Sequence, residues 1–237
     1  MKKIVIEIDG QRVEAEEGTR LLWSALAAGI YIPHLCAGRE LDFHPASCRL
    51  CWVEVEGRGA APACTVTAVA GLMVRTRSER VDRLVRTGFA LLMSTHRLDC
   101  GSCPANHHCA LQEIARRRKL PLRPKRIEWS LDWPPTALAP TARMRRARIH
   151  LALQEPAWPV DLSQPRFGLD RNHCILCGQC IFVCNEIVRC RVLDFQRRGR
   201  AMVVNTFQGR PLAEQEDCAG CLRCVQVCPV GALFHKG

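Results

Sequence analysis

Two strand-like runs open the chain, KIVIEI and then QRVEAE, which alternates polar and apolar from Arg12 onward, with Asp9-Gly10 between them. Alternation of period two marks a strand with one face on a core, and an Asp-Gly pair between two such runs predicts a tight hairpin. The pattern then changes period. Leu21 to Ala28 is helix-compatible, with Thr19 as the expected N-cap and Gly29 placed to end the helix in the left-handed conformation. CWVEVEG returns to strand-like alternation. Farther on, Val81, Leu84, Val85, Gly88, Phe89 and Leu92 recur at intervals of three and four and predict a second helix, and helical character resumes at ALQEIARRRK.

Composition changes this picture through one residue type. The chain of 237 residues holds sixteen cysteines. The N-terminus reaches Glu7 after only three apolar residues, which leaves no signal-peptide core, so the thiols are read as reduced and cytosolic, where clustered cysteines bind metal more often than they pair. No apolar run is long enough to span a bilayer, and no direct membrane insertion is expected. The hairpin, the helix and a cysteine-bearing loop at Cys36 follow one another in the order of a β-grasp sheet. Within that unit Cys36, Cys48, Cys51 and Cys64 are separated by eleven, two and twelve residues. Four thiolates suit a [2Fe–2S] cluster and equally a structural zinc, so spacing leaves the metal open at this position.

The second helix leads into HRLDCGSCPANHHC, where His96, Cys100, Cys103 and Cys109 are spaced by three, two and five residues and His107 and His108 compete with His96 as the nitrogen donor. The densest signal lies near the C-terminus. CILCGQCIFVC and CAGCLRCVQVCP each place four cysteines at intervals of two, two and three, the bacterial ferredoxin run, with Pro229 after the last cysteine. In two-cluster ferredoxins the fourth cysteine of each run serves the other cluster. That rule assigns Cys174, Cys177, Cys180 and Cys228 to one [4Fe–4S] cluster, and Cys184, Cys218, Cys221 and Cys224 to a second. Fifteen cysteines and His96 then make four sets of four. Cys190 is left as a packed or free thiol, with a ligand role as its rival.

Charge divides the chain. The formal net charge of +11 is concentrated between residues 116 and 150, where eleven Lys or Arg face two acids, Glu128 and Asp132. That stretch also carries five prolines and two tryptophans, the composition of an extended connector. The expected organisation is a β-grasp domain at 1–78, a small helical His/Cys domain at 79–120, a basic connector at 121–164 and a double ferredoxin domain at 165–237, an α+β chain. A basic connector suits an acidic protein surface or RNA, or is a plain solvated linker. No RNA-binding signature accompanies it and no nucleic acid is expected.

The ordered segments YIPHLC, SCRLCWVEVEG, PAC, HRLDCGSCPANHHCALQ, CILCGQCIFVCNEI and CAGCLRCVQVCPVGAL resemble the N-terminal electron-transfer region of the complex I large iron–sulfur subunit. They are equally similar to the small diaphorase iron–sulfur subunit of NAD-reducing [NiFe] hydrogenases and to the N-terminal parts of iron-only hydrogenases and NAD-linked formate dehydrogenases. The resemblance implies a [2Fe–2S] cluster on Cys36, Cys48, Cys51 and Cys64, and a [4Fe–4S] cluster on His96, Cys100, Cys103 and Cys109, for one [2Fe–2S] and three [4Fe–4S] in all. It implies a non-catalytic electron carrier whose partners are an NAD(P)-binding flavoprotein and a hydrogenase or formate dehydrogenase catalytic subunit. The longer, more basic connector and Cys190 depart from the family pattern. The sequence carries no GxGxxG or P-loop fingerprint and closes nine residues after Cys228, so catalysis is expected in other chains. A metal-folded regulatory or RNA-binding protein is the reading from a different class.

Overall fold

In a computed structural model, which describes residues 2–123, 158–218 and 220–236, the opening alternation becomes a hairpin, β1 (Lys3–Ile8) and β2 (Gln11–Glu16), closed between Ile8 and Gln11. Asp9 and Gly10 both have positive φ, +52° and +79°, which the right-handed twist of the flanking strands requires of a two-residue turn. The Asp9 carboxylate accepts the main-chain N–H of Thr76, so the turn is tied to the end of a strand formed much later.

Helix α1 (Leu21–Ala27) follows, and Gly29 leaves it at φ +76° as expected. Thr19 is not its cap. Arg20 occupies that position without a side-chain hydrogen bond, while the main-chain N–H groups of Leu21 and Leu22 donate to Val66 and Ala63. The loop around Cys64 thus satisfies the helix start, and Thr19 is engaged one residue too early through its carbonyl with Ala68. Strands β3 (Trp52–Val55), β4 (Gly59–Pro62) and β5 (Met73–Arg75) complete a five-stranded sheet in the order β2-β1-β5-β3-β4. Strand β5 runs parallel to β1 in the centre. Ile4, Ile6, Ile8, Val13 and Val53 face α1 across a dry core that includes Cys51 and Cys64. This is the β-grasp arrangement.

Helix α2 (Glu79–Thr95) starts at Ser78, whose hydroxyl accepts the N–H of Val81 at 3.2 Å, and ends at His96. Val81, Val85, Gly88 and Phe89 are buried, whereas Leu84 and Leu92 are half-buried at the edge of the stripe. A Cβ on Gly88 would lie 2.7 Å from the carbonyl oxygen of Arg49, so only glycine lets α2 rest on the Cys48–Cys51 loop. Cys109 stands at the start of α3 (Ala110–Arg118).

The C-terminal segment holds β6 (Phe167–Leu169), α4 (Gln179–Phe182), β7 (Leu193–Gln196), β8 (Val203–Thr206), α5 (Arg223–Gln226) and β9 (Leu233–His235). Strand β6 pairs with β9 and β7 with β8, both antiparallel. A second core belongs to no single segment: it packs Phe89 and Met93 of α2 and Ile114 of α3 with Leu35, Leu50, Ile175 and Val230. The middle of the protein is therefore held by its neighbours on both sides. The expected basic connector lies largely outside the described residues. No helix among the described residues is long and apolar enough to cross a membrane.

Candidate metal centres

Cys36, Cys48, Cys51 and Cys64 come together at the end of the β-grasp sheet, all buried. The β3–β4 hairpin carries the chain from the close pair back to Cys64. Cys36 Sγ accepts the Cys48 main-chain N–H at 3.4 Å. A hydrogen bond from the Cys48 thiol then lowers the Cys36 pKa to about 5 against the opposing effect of burial, and Cys51 lowers Cys64 in the same way. Their partners Cys48 and Cys51 are pushed up by giving those bonds and by burial.

The middle set is placed by two helix ends. His96 ends α2 and Cys109 opens α3, with Cys100 and Cys103 half-buried on the loop between. His107 and His108 are exposed, while His96 is half-buried with Nδ1 3.0 Å from the carbonyl of His173. A carbonyl only accepts, so Nδ1 carries the proton and the Nε2 lone pair is free. Burial, with the neighbouring His173 adding to it, holds the His96 pKa below its ordinary value, so the ring is a neutral donor.

In the C-terminal segment Cys174, Cys177, Cys180 and Cys228 line one pocket together. Burial pushes Cys174 and Cys177 up to about 12, and Cys180 and Cys228 are raised by the same cause. Thiols so disfavoured as free anions ionise when a cation compensates them, which is the chemistry of a metal site. A second pocket is lined by Cys184, Cys218, Cys221 and Cys224, with Cys221 exposed. Both pockets exchange the fourth cysteine of the two runs. Their loops share a backbone device: Leu176 and Gly178 in the first run, and Gly220 and Leu222 in the second, have positive φ at matching positions. A leucine there costs about 1–2 kcal/mol, strain that the turn toward each pocket retains.

Cys190, which lies just beyond the first ferredoxin run and is expected to be a packed or free thiol, also lines the second pocket. It lies between Arg189 and Arg191, both at positive φ, and this turn brings the Val192 N–H to 3.3 Å from Cys184 Sγ. Among the described residues no three His, Cys, Asp or Glu side chains converge on one ion position.

The three segments match three family models: a 2Fe-2S iron–sulfur cluster binding domain at residues 1–79, the NADH-ubiquinone oxidoreductase-G iron–sulfur binding region at 86–120, and a 4Fe-4S dicluster domain at 173–232. A chain in the crystal structure of an NAD+-reducing [NiFe]-hydrogenase in the H2-reduced state is 30% identical, with a TM-score of 0.76 over 99% of this chain and 88% of that one. The chain belongs to the iron–sulfur electron-transfer subunits of hydrogenases and complex I-like oxidoreductases. Within this family it is 32% identical to the NADP-reducing hydrogenase subunit HndD of Solidesulfovibrio fructosivorans, over 99% of this chain and 36% of the relative. It is 30% identical to the NADPH-Fe(3+) oxidoreductase subunit alpha of Geobacter sulfurreducens, over 98% of this chain and 24% of the relative. The chain thus spans about a quarter to a third of the length of these curated relatives.

Proposed function

We propose that the chain carries single electrons between an NAD(P)-linked flavoprotein and the catalytic subunit of a cytoplasmic hydrogenase, without catalysis of its own. The observation that carries this reading is the continuity of the thiol sets. Cys36 and Cys48 of the first set, Cys109 of the middle one and Cys177 of the first ferredoxin pocket belong to one hydrophobic core. Cys177 also lies within electrostatic range of Cys36, Cys228 of Cys109, and Cys180 of Cys224. The pocket of Cys174, Cys177, Cys180 and Cys228 is therefore a junction that neighbours each other set, and Cys221 brings the last set to the surface.

In this reading Cys36, Cys48, Cys51 and Cys64 hold one [2Fe–2S] cluster. His96, Cys100, Cys103 and Cys109 hold one [4Fe–4S], and the two ferredoxin pockets hold two more. Bound clusters supply reversible one-electron storage, with potentials set by cluster charge, hydrogen bonds to sulfur and exposure. The protein's part is to keep the ligand loops fixed, by the β-grasp core, the helix ends at His96 and Cys109, and main-chain N–H bonds to Cys36 and Cys184. A neutral imidazole makes the middle site less negative than its neighbours. The basic stretch at 116–150 is assigned to docking an acidic partner face, an association that weakens with added salt.

Anoxic affinity isolation from the native host tests the reading. Recovery of a flavoprotein with a hydrogenase subunit, and about 14 irons per chain, supports it. A formate dehydrogenase subunit in place of the hydrogenase would change the terminus only, whereas stoichiometric zinc with little iron, or recovery with RNA, refutes the electron carrier.

A further inference from the structure

The loop of the middle set and the start of the first ferredoxin run meet at two consecutive carbonyls. His96 Nδ1 donates to the carbonyl of His173, and the main-chain N–H of Arg97 donates to the carbonyl of Asn172, each at 3.0 Å. The peptide that receives the His96 proton is the one whose nitrogen belongs to Cys174. One hydrogen bond therefore joins a donor of one set to the residue carrying a donor of the next.

The residue at that joint is itself clamped. His173 is 3% exposed, and its Nε2 lies 2.6 Å from Oδ1 of Asp99. Its Nδ1 lies 3.0 Å from Oδ2 of Asp170, at ion-pair distance but without hydrogen-bond alignment. Asp170 accepts the main-chain N–H of Asn172 at 2.9 Å and holds the turn from within its own segment. Asp99 comes from the other side, three residues after His96 and one before Cys100, and is anchored by Arg97 at 3.0 Å. The contact from Asp99 to His173 and the contact from His96 to the 173 carbonyl thus close a ring between the two loops.

We propose that Asp99 and His173 are positioning residues for His96: the clamp keeps the 173 carbonyl on Nδ1, which fixes the tautomer and aims Nε2 at the middle cluster. This rests on the reading of His96 as an iron ligand. A hydrogen bond at Nδ1 makes Nε2 the stronger donor, which favours the oxidised cluster. Releasing the clamp raises the midpoint potential of that cluster. Asp99 and His173 act through the imidazole, by way of the 173 carbonyl.

The test uses the full chain loaded anoxically, with each reduced cluster followed by EPR in a redox titration and the nitrogen ligand followed by 14N pulsed hyperfine spectroscopy. Asp99→Ala and His173→Gln are each made in the native background and together with His96→Cys, which supplies a thiolate that needs no tautomer. The expected result is an upward potential shift and altered 14N coupling with His96 present, and a clearly smaller shift with cysteine there. Equal shifts in both backgrounds reduce Asp99 and His173 to general structural or electrostatic residues and overturn the proposal, as does the absence of any shift. Asp99 is partly exposed, so its variant keeps the test available if the buried His173→Gln protein misfolds. Absence of 14N coupling in the native protein removes His96 as a ligand, and then the underlying reading fails rather than the clamp.

Discussion

A single methyl group at Gly231 separates an iron-bound Cys103 from a free one. Gly231 lies three residues beyond Cys228, in the ferredoxin segment, yet a Cβ there would stand 2.5 Å from Cys103 Sγ of the middle set. It would also lie 3.4 Å from the Ala105 Cβ and main-chain nitrogen, so Gly231 is close-packed on two sides. Ordinary contact distances near 3.5–4.0 Å require the sulfur to retreat by about 1 Å. A free thiol turns away at almost no cost. One tied to a cluster cannot, and Gly231→Ala then costs about 1–3 kcal/mol of overpacking, borne by the middle site. The backbone at 231 is outside the left-handed region, so alanine itself adds no strain. Iron analysis and low-temperature EPR of the reduced protein should show about 10 irons in place of about 14, with the [2Fe–2S] and ferredoxin signals intact. A full complement with unchanged spectra would refute Cys103 as a ligand held against Gly231. Loss of the ferredoxin signals instead would place the damage in the Cys228–Ala232 turn.

Three further perturbations probe the joints. Gln179 donates from α4 to the buried carbonyl of Leu35 at 2.6 Å; Gln179→Ala leaves that carbonyl unpaired and should cost about 1–3 kcal/mol, read as a lower thermal midpoint, and an unchanged midpoint would mean the contact contributes nothing. Gly88→Ala sets the gain of about 1 kcal/mol in helix propensity against a 2.7 Å clash with the fixed Arg49 carbonyl. The clash wins: stability falls and the [2Fe–2S] circular dichroism changes, whereas a more stable variant would show that α2 slides freely. Cys190→Ser should keep every cluster if Cys184 is the ligand in the pocket they share; loss of a [4Fe–4S] signal would transfer the ligand role from Cys184 to Cys190.

What was legible in the sequence is what short covalent spacing controls. Two intervening residues keep three thiols on one turn, so the runs at Cys174 and Cys218 announce their chemistry without a fold, and the Asp9-Gly10 hairpin does so because both turn residues tolerate positive φ. Thr19 failed as a cap because the helix start is satisfied by Ala63 and Val66, a contact across more than forty residues that no local pattern carries. Cys190, six residues past Cys184 and outside the two-two-three spacing, is folded onto the second pocket by a turn through two left-handed arginines. Gly88 beneath the Arg49 carbonyl and Gly231 against Cys103 look like ordinary glycines until packing brings a second chain segment to them. The sequence by itself therefore determined the cysteine spacings and the kind of donor each segment offers. Only the tertiary structure decided which sets adjoin and which carbonyl His96 meets, because those contacts depend on the shared core that closes over all three segments at once.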